Sequence, residues 1–111
     1  MDFVARSKEI FDLEIAELQK LADRLEPEIN DAVEMIYNCK GKVVIMGIGK
    51  TGIIGHKIAS SLASTGTPTI FINAAEAVHG DLGMVSKDDI ALLISNSGSS
   101  TEILNLISPL K

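Results

Sequence analysis

The sequence predicts an α/β fold built on a parallel sheet, and three observations carry that reading. An unbroken apolar run stands at residues 43–46, and strand-like, largely apolar runs recur at 69–72 and 90–95. A continuous rather than alternating apolar run is how a strand covered on both faces reads. Segments of helical spacing follow the first and third of these runs, and turns rich in glycine or serine separate strand from helix. Strand and helix therefore alternate, as right-handed crossovers between parallel strands require.

Taken in order, the first 40 residues contain no glycine and read as two helices. Phe11, Ile15, Leu18, Ala22 and Leu25 repeat at spacings of four and three, while Glu14, Glu17, Lys20 and Asp23 take other faces. Pro27 breaks the pattern and suits the first turn of a second helix, whose stripe is Ile29, Val33 and Ile36. Strand one spans 43–46, and a helix over about 52–65 carries Ile54, Ile58, Leu62 and Thr65 on one face. The stretch GTP at 66–68 stops that helix, and strand two covers 69–72. A loop, AAEAVHGDLGMVSKDD, leads to strand three at 90–95, and a last helix from about 101 buries Ile103, Leu104, Ile107 and Leu110. Three apolar strands leave exposed sheet edges, so the pattern predicts a piece of a larger sheet or an edge covered by a partner.

The turn after strand one, GIGKTGIIG at 47–55, matches parts of several phosphate-binding loops. A Walker loop needs a glycine five residues before Gly49, where Val44 stands within the strand. Gly47, Gly49 and Gly52 satisfy the dinucleotide fingerprint, but the next strand ends at Asn73 and supplies no acidic ribose ligand, Glu76 coming later. Glycines that only tighten the turn and let helix and strand approach are the plain alternative.

A second loop of the same kind, SNSGSST, follows strand three. Ser95, Ser97, Ser99 and Ser100 place four hydroxyls in six residues around Gly98, at the start of a helix with unsatisfied amides. One serine is expected to cap that helix; the surplus of hydroxyls points to a monophosphate. Both loops are expected at the carboxyl ends of neighbouring strands, where open α/β sheets bind ligands. Glu102 lies in the first turn of the last helix, where a carboxylate also favours the helix dipole. Lys50 projects from the glycine loop as a candidate cation for a phosphate or carbonyl. His79 sits in a loop, AVHGDLG, whereas His56 reads as a helix-surface residue.

Composition narrows the functional classes. With 15 acidic and 10 basic residues among 111, the net charge is −5 and no basic cluster stands out, which argues against nucleic acid and anionic membrane as partners. Aromatic residues make up 4%, so the core is aliphatic. Cys39 is the one cysteine, which excludes an intrachain disulfide and fits a packing role in a reducing compartment. No His/Cys cluster has metal-ligand spacing, so no metal and no cofactor are predicted. The absence of a signal-like start or a membrane-length apolar run leads to an expected cytoplasmic location.

The stretches GKVVIMGIGKTG, LASTGTPTIF, EAVHGDLGMV and LISNSGSSTEI, in this order, resemble the sugar isomerase (SIS) domain, in particular its arabinose 5-phosphate isomerase branch. The resemblance covers about residues 40–111 and implies a three-layer, flavodoxin-like SIS-type fold, truncated and preceded by two helices. In that scheme residues 1–40 are the N-terminal helices and 41–111 the first part of the domain. It implies aldose–ketose isomerisation of arabinose 5-phosphate and ribulose 5-phosphate through an enediol, feeding Kdo synthesis for lipopolysaccharide. Ser95, Ser97, Gly98, Ser99 and Ser100 would hold phosphate, and Gly66, Thr67 and His79 would line the substrate. Lys50 would give electrostatic stabilisation and Glu102 a proton-transfer or orienting role. Asn73 and Ile53 stand where the family often has histidine, which removes support for a zinc site. Further strands and another catalytic Glu and His belong to a later portion of the family's domain, so these residues alone are not expected to be a competent enzyme. The alternative is a non-catalytic sugar-phosphate sensor, which the acidic N-terminal 40 residues, without a basic recognition helix, do not favour. A dimer or tetramer is expected.

Overall fold

A computed structural model describes residues 1–111, which divide into two compact units, Met1–Val33 and Glu34–Lys111. In the first unit α1 runs Phe3–Asp23. Asp2 caps it by accepting the Ala5 amide proton at 3.0 Å. Arg6–Glu9 and Lys20–Glu17 pair along its surface at 3.0 Å each. The expected stripe is helical but uncovered: no α1 residue is buried, and Phe11, Ile15 and Leu18 are each more than 60% exposed. Pro27 stands just before α2, Glu28–Tyr37, which begins in the first unit and ends in the second. No helix is long and apolar enough to cross a membrane.

The second unit is an α/β domain. Its elements are β1 Val43–Gly47, α3 Gly49–Ser64, β2 Thr69–Asn73, the short α4 Ala74–Ala77, a 3-10 turn Asp81–Met84, β3 Ile90–Leu93 and α5 Thr101–Leu110. The stretch read as one long loop thus contains two short helical turns. Ala74 and Ala77 of α4 are buried, and side chains this small allow a helical turn to sit directly on the core. The sheet order is β2-β1-β3, all parallel, with Val43 opposite both Thr69 and Ile90.

Alternation along β1 divides the core in two. Val43 and Ile45 pack with Ala59 of α3, flanked by Ile36, Ile58, Leu62, Phe71 and Leu92. Val44 and Met46 pack with Ile72, Ala74, Ala77, Ile103 and Leu106 on the other face. The sheet is therefore the middle of three layers, and all four of these β1 side chains are fully buried. At about 1.5–3 kcal/mol for each large side chain taken from water, this strand is the main source of burial energy.

Two expected helix faces are corrected by the packing. On α3 the face against the sheet is Gly52, Gly55 and Ala59, with Ile58 and Leu62 on its flank, while Ile54 is 56% exposed. The cause is a close approach. A Cβ on Gly55 would lie 2.9 Å from Phe71 Cε2 and 3.1 Å from Ile45 Cγ2, so only a residue without a side chain fits. On α5 the buried residues are Ile103 and Leu106, three apart, and Leu104 and Ile107 face outward at 48% and 42% exposure. Leu110 completes the inner row as a half-buried neighbour.

At the amino end of the sheet one ion pair ties the strands together. Lys42 Nζ donates to Asp89 Oδ2 at 2.7 Å, the Lys42 amide donates to Asp89 Oδ1 at 2.9 Å, and the Ser86 amide donates to Asp89 Oδ2 at 2.8 Å. The Asp89 side chain is only 2% exposed. The Lys42 amide, then the Lys42 ammonium, then the Ser86 amide hold its carboxyl well below the usual carboxylate range. Cys39 packs at the same end, its Sγ 3.6 Å from the carbonyls of Lys42 and Asp88.

Two outcomes follow from this packing. Gly55→Val is expected to destabilise the domain by about 2 kcal/mol through overpacking, read as a lower denaturant midpoint with an unchanged slope. Asp89 titrates lower in the folded than in the unfolded chain, so its contribution is present above the unfolded carboxyl value of about 4 and fades as pH falls below it. Asp89→Asn is therefore expected to lower Tm at pH 7, and the gap between variant and parent should narrow steadily on acidification below about pH 4.

Candidate functional site

Strand order places the two anion loops side by side. From β1 the chain passes to β2 on one flank and then returns across β1 to β3 on the other. The carboxyl ends of β1 and β3 thus form a topological switch point, where a crevice opens in an open parallel sheet. The Ile94 amide donates to Met46 O at 2.9 Å, carrying the ladder beyond β3. Continuing the register Met46 opposite Leu93 sets Ser95 beside Ile48. Neighbouring strands lie about 4.8 Å apart, so the glycine and serine loops face one another across that short gap.

The glycine loop turns within a single residue, Ile48, between strand and helix. Thr51 Oγ1 donates to Ile48 O at 2.8 Å and accepts the Ile48 amide proton at 3.3 Å, closing the turn without a charged partner. A Cβ on Gly47 would meet the Thr51 carbonyl oxygen at 2.9 Å. The tight-turn role of these glycines is therefore present in the structure. Lys50 is exposed in the first turn of α3 and enters no salt bridge.

In the serine loop the hydroxyls organise the backbone. Ser95 Oγ accepts the Gly98 amide proton at 3.0 Å and lies 3.0 Å from Ser100 Oγ. Ser97 Oγ accepts the Ser99 amide proton at 3.2 Å. Gly98 has φ +70°, in the left-handed region. Ser100 occupies the cap position of α5 and its carbonyl accepts the Leu104 amide proton at 2.9 Å, but its side chain makes no capping bond. The expected hydroxyl cap is thus absent, because that hydroxyl turns back to Ser95. The first-turn amides of α5 are left without a side-chain acceptor, the arrangement that receives an anion. Glu102 is exposed in this same turn.

The remaining predicted residues divide by position. His79 is exposed on the turn between α4 and the 3-10 segment, its amide donating to Glu76 O at 3.0 Å. Gly66 and Thr67 are not brought to the two loops. They precede β2 at the amino end of the sheet and line a cavity of about 280 Å³ with Tyr37, Cys39 and Gly41. One β1 length, roughly 13 Å at 3.3 Å per residue, separates that end from the serine loop. The physical reason is chain direction: in a parallel sheet every residue that enters a strand lies opposite every residue that leaves one.

Two residues that sequence reasoning left aside do reach the carboxyl end. His56 and Asp81 line an open groove of about 390 Å³ with Gly49, Phe71, Asn73 and Met84. The signal for His56 was its position next to Gly55, since a glycine pressed on the sheet brings its neighbour to the rim.

A parallel sheet with a glycine-rich and a serine-rich strand-to-helix loop side by side at a switch point defines the class of open α/β domains built to receive an anion. The sequence model of the SIS domain family matches residues 35–111, and the chain belongs to that family. It is 50% identical to the arabinose 5-phosphate isomerase KdsD of Yersinia pestis over 111 residues, all of this chain and 34% of that protein. Against KdsD of Escherichia coli strain K12 it is 48% identical over 110 residues, again 34% of that protein. The structure of the Escherichia coli CFT073 protein c3406 in complex with A5P superposes with a TM-score of 0.90 at 44% identity, covering 98% of this chain and 58% of that one. The chain thus spans about a third of the length of these curated relatives.

Gly98→Val is expected to open the serine loop, because a β-branched residue at φ +70° is strained by about 1–2 kcal/mol. Faster exchange of the Gly98 and Ser99 neighbourhood amides, with the sheet amides unchanged, is the outcome to measure by hydrogen exchange.

Proposed function

We propose that this chain forms the phosphate-binding half of an arabinose 5-phosphate isomerase site. The carrying observation is the adjacency of the serine loop and the glycine loop at the β1/β3 switch point. The likeness to the KdsD enzymes and to a structure holding A5P names the ligand class. Ser95, Ser97, Ser99, Ser100 and the amides around Gly98 hold the phosphate. Lys50, across the gap, adds positive charge where an oxyanion develops.

Isomerisation moves one proton between adjacent carbons. Removal of the C2 proton of the aldose, with protonation of the C1 oxygen, gives an enediol; delivery of a proton to C1, with loss of the proton of the C2 hydroxyl, gives the ketose. Glu102, in the first turn of α5 directly after the phosphate loop, serves as a carboxylate that carries or orients that proton. His79 belongs to the sugar end of the same site in this reading. Gly66 and Thr67 instead set the start of β2, away from the reaction.

The same reading places the enzyme in the cytoplasm, in the supply of Kdo for lipopolysaccharide, as a homo-oligomer of two or four copies. The exposed apolar stripe of α1 and the two open edges of the sheet support assembly.

Calorimetry tests the binding claim. Arabinose 5-phosphate is expected to bind the 111-residue chain and free arabinose is not, and Ser97→Ala should weaken the phosphate ester by about tenfold or more. Equal affinity for the free sugar and its phosphate, or a Ser97→Ala variant that binds unchanged, would contradict it.

A further inference from the structure

We propose that the groove over the carboxyl end of β2 receives the polyol end of the sugar phosphate, with His56 and Asp81 as polar contacts. The inference deepens the reading above and rests on it, since the phosphate must first be held at the serine loop.

The groove is built by packing. Gly52 and Gly55 let α3 settle on the sheet, and this brings His56 over Phe71 with ring centroids 4.0 Å apart and planes inclined by 37°. Asp81, at the start of the 3-10 turn, comes to the same groove from the opposite side of the β2 end. It enters no salt bridge and its carboxylate is exposed. Asn73 Oδ1 accepts the Ala75 amide proton at 2.9 Å, which leaves the Asn73 amide group to donate into the groove it lines. Phe71 and Met84 supply apolar surface beside these groups.

That mixture fits a polyol. A sugar chain presents carbon-bound hydrogens to Phe71 and Met84 and hydroxyls that both donate and accept, matching Asp81 as acceptor, Asn73 as donor and the imidazole of His56 as either. A phosphate fits less well here than at the serine loop, because no serine or threonine lines the groove and the Asp81 carboxylate adds repulsion. The ligand is therefore oriented, phosphate toward β3 and hydroxyls toward β2. The span also agrees. β2 and β3 flank β1, so the two ends of the site lie roughly 10 Å apart at 4.8 Å per strand, a distance an open-chain pentose phosphate covers.

Calorimetry with arabinose 5-phosphate and, separately, inorganic phosphate distinguishes this groove from the serine loop. His56→Ala and Asp81→Ala, both exposed positions, are checked for an unchanged circular dichroism spectrum. Each is expected to weaken arabinose 5-phosphate by about tenfold and to leave inorganic phosphate unaffected, whereas Ser97→Ala weakens both ligands. If both groove variants bind arabinose 5-phosphate as the unaltered chain does, or lose affinity equally for both ligands, the polyol assignment is wrong. If Ser97→Ala leaves inorganic phosphate unchanged, the serine-loop reading fails on its own account. A folded chain that binds neither ligand overturns both.

Discussion

The structure depends on the complete burial of β1. Its four apolar side chains, Val43 to Met46, point alternately into two cores, and its backbone pairs with β2 on one side and β3 on the other. A strand so enclosed can tolerate no polar side chain, and it obliges α3 and α5 to lie on opposite faces. The ion pair of Lys42 with Asp89 fixes where β1 and β3 begin, and a parallel ladder then fixes where they end. The register that aligns the two loops is thus set at the far end of the sheet.

The candidate site is a product of this topology more than of any single side chain. β1 in the middle, followed by a reversal of winding direction, brings two strand-to-helix loops together without a long excursion of the chain. Each loop supplies backbone amides. Serine hydroxyls shape one, and glycines admit the close helix approach of the other. Lys50 and Glu102, each in a first helical turn, come from opposite layers of the fold. Such residues are held by rigid elements while their side chains stay free in solvent.

Much of this was legible in the residues. The three strands follow from largely apolar runs, and the strand-to-helix positions of both loops follow from the punctuation by glycine and serine. Helix faces were less legible. Periodicity picked Ile54 for the inner face of α3, but the close contact with Phe71 and Ile45 required glycine there, and the larger residues moved to the flank. The same limit applied on α5, where Leu106 rather than Leu104 or Ile107 meets the core. Spatial order was the other loss. The sequence quotes Gly66, Thr67 and His79 within a few residues of strands, but only chain direction decides which end of the sheet each one reaches. The packing of α3, which carries His56 to the groove, likewise has no one-dimensional signature beyond its glycine neighbour.

The central claim is that the β1/β3 switch point holds the phosphate. An amide-resolved NMR titration of the chain with arabinose 5-phosphate tests it most directly. The account predicts the largest shifts at Gly98, Ser99, Thr101 and Glu102, with smaller ones at Gly49 and Lys50, and none at Gly66 or Thr67. Shifts concentrated at Gly66, Thr67 and the amino end of the sheet, with the serine-loop amides unmoved, would contradict it.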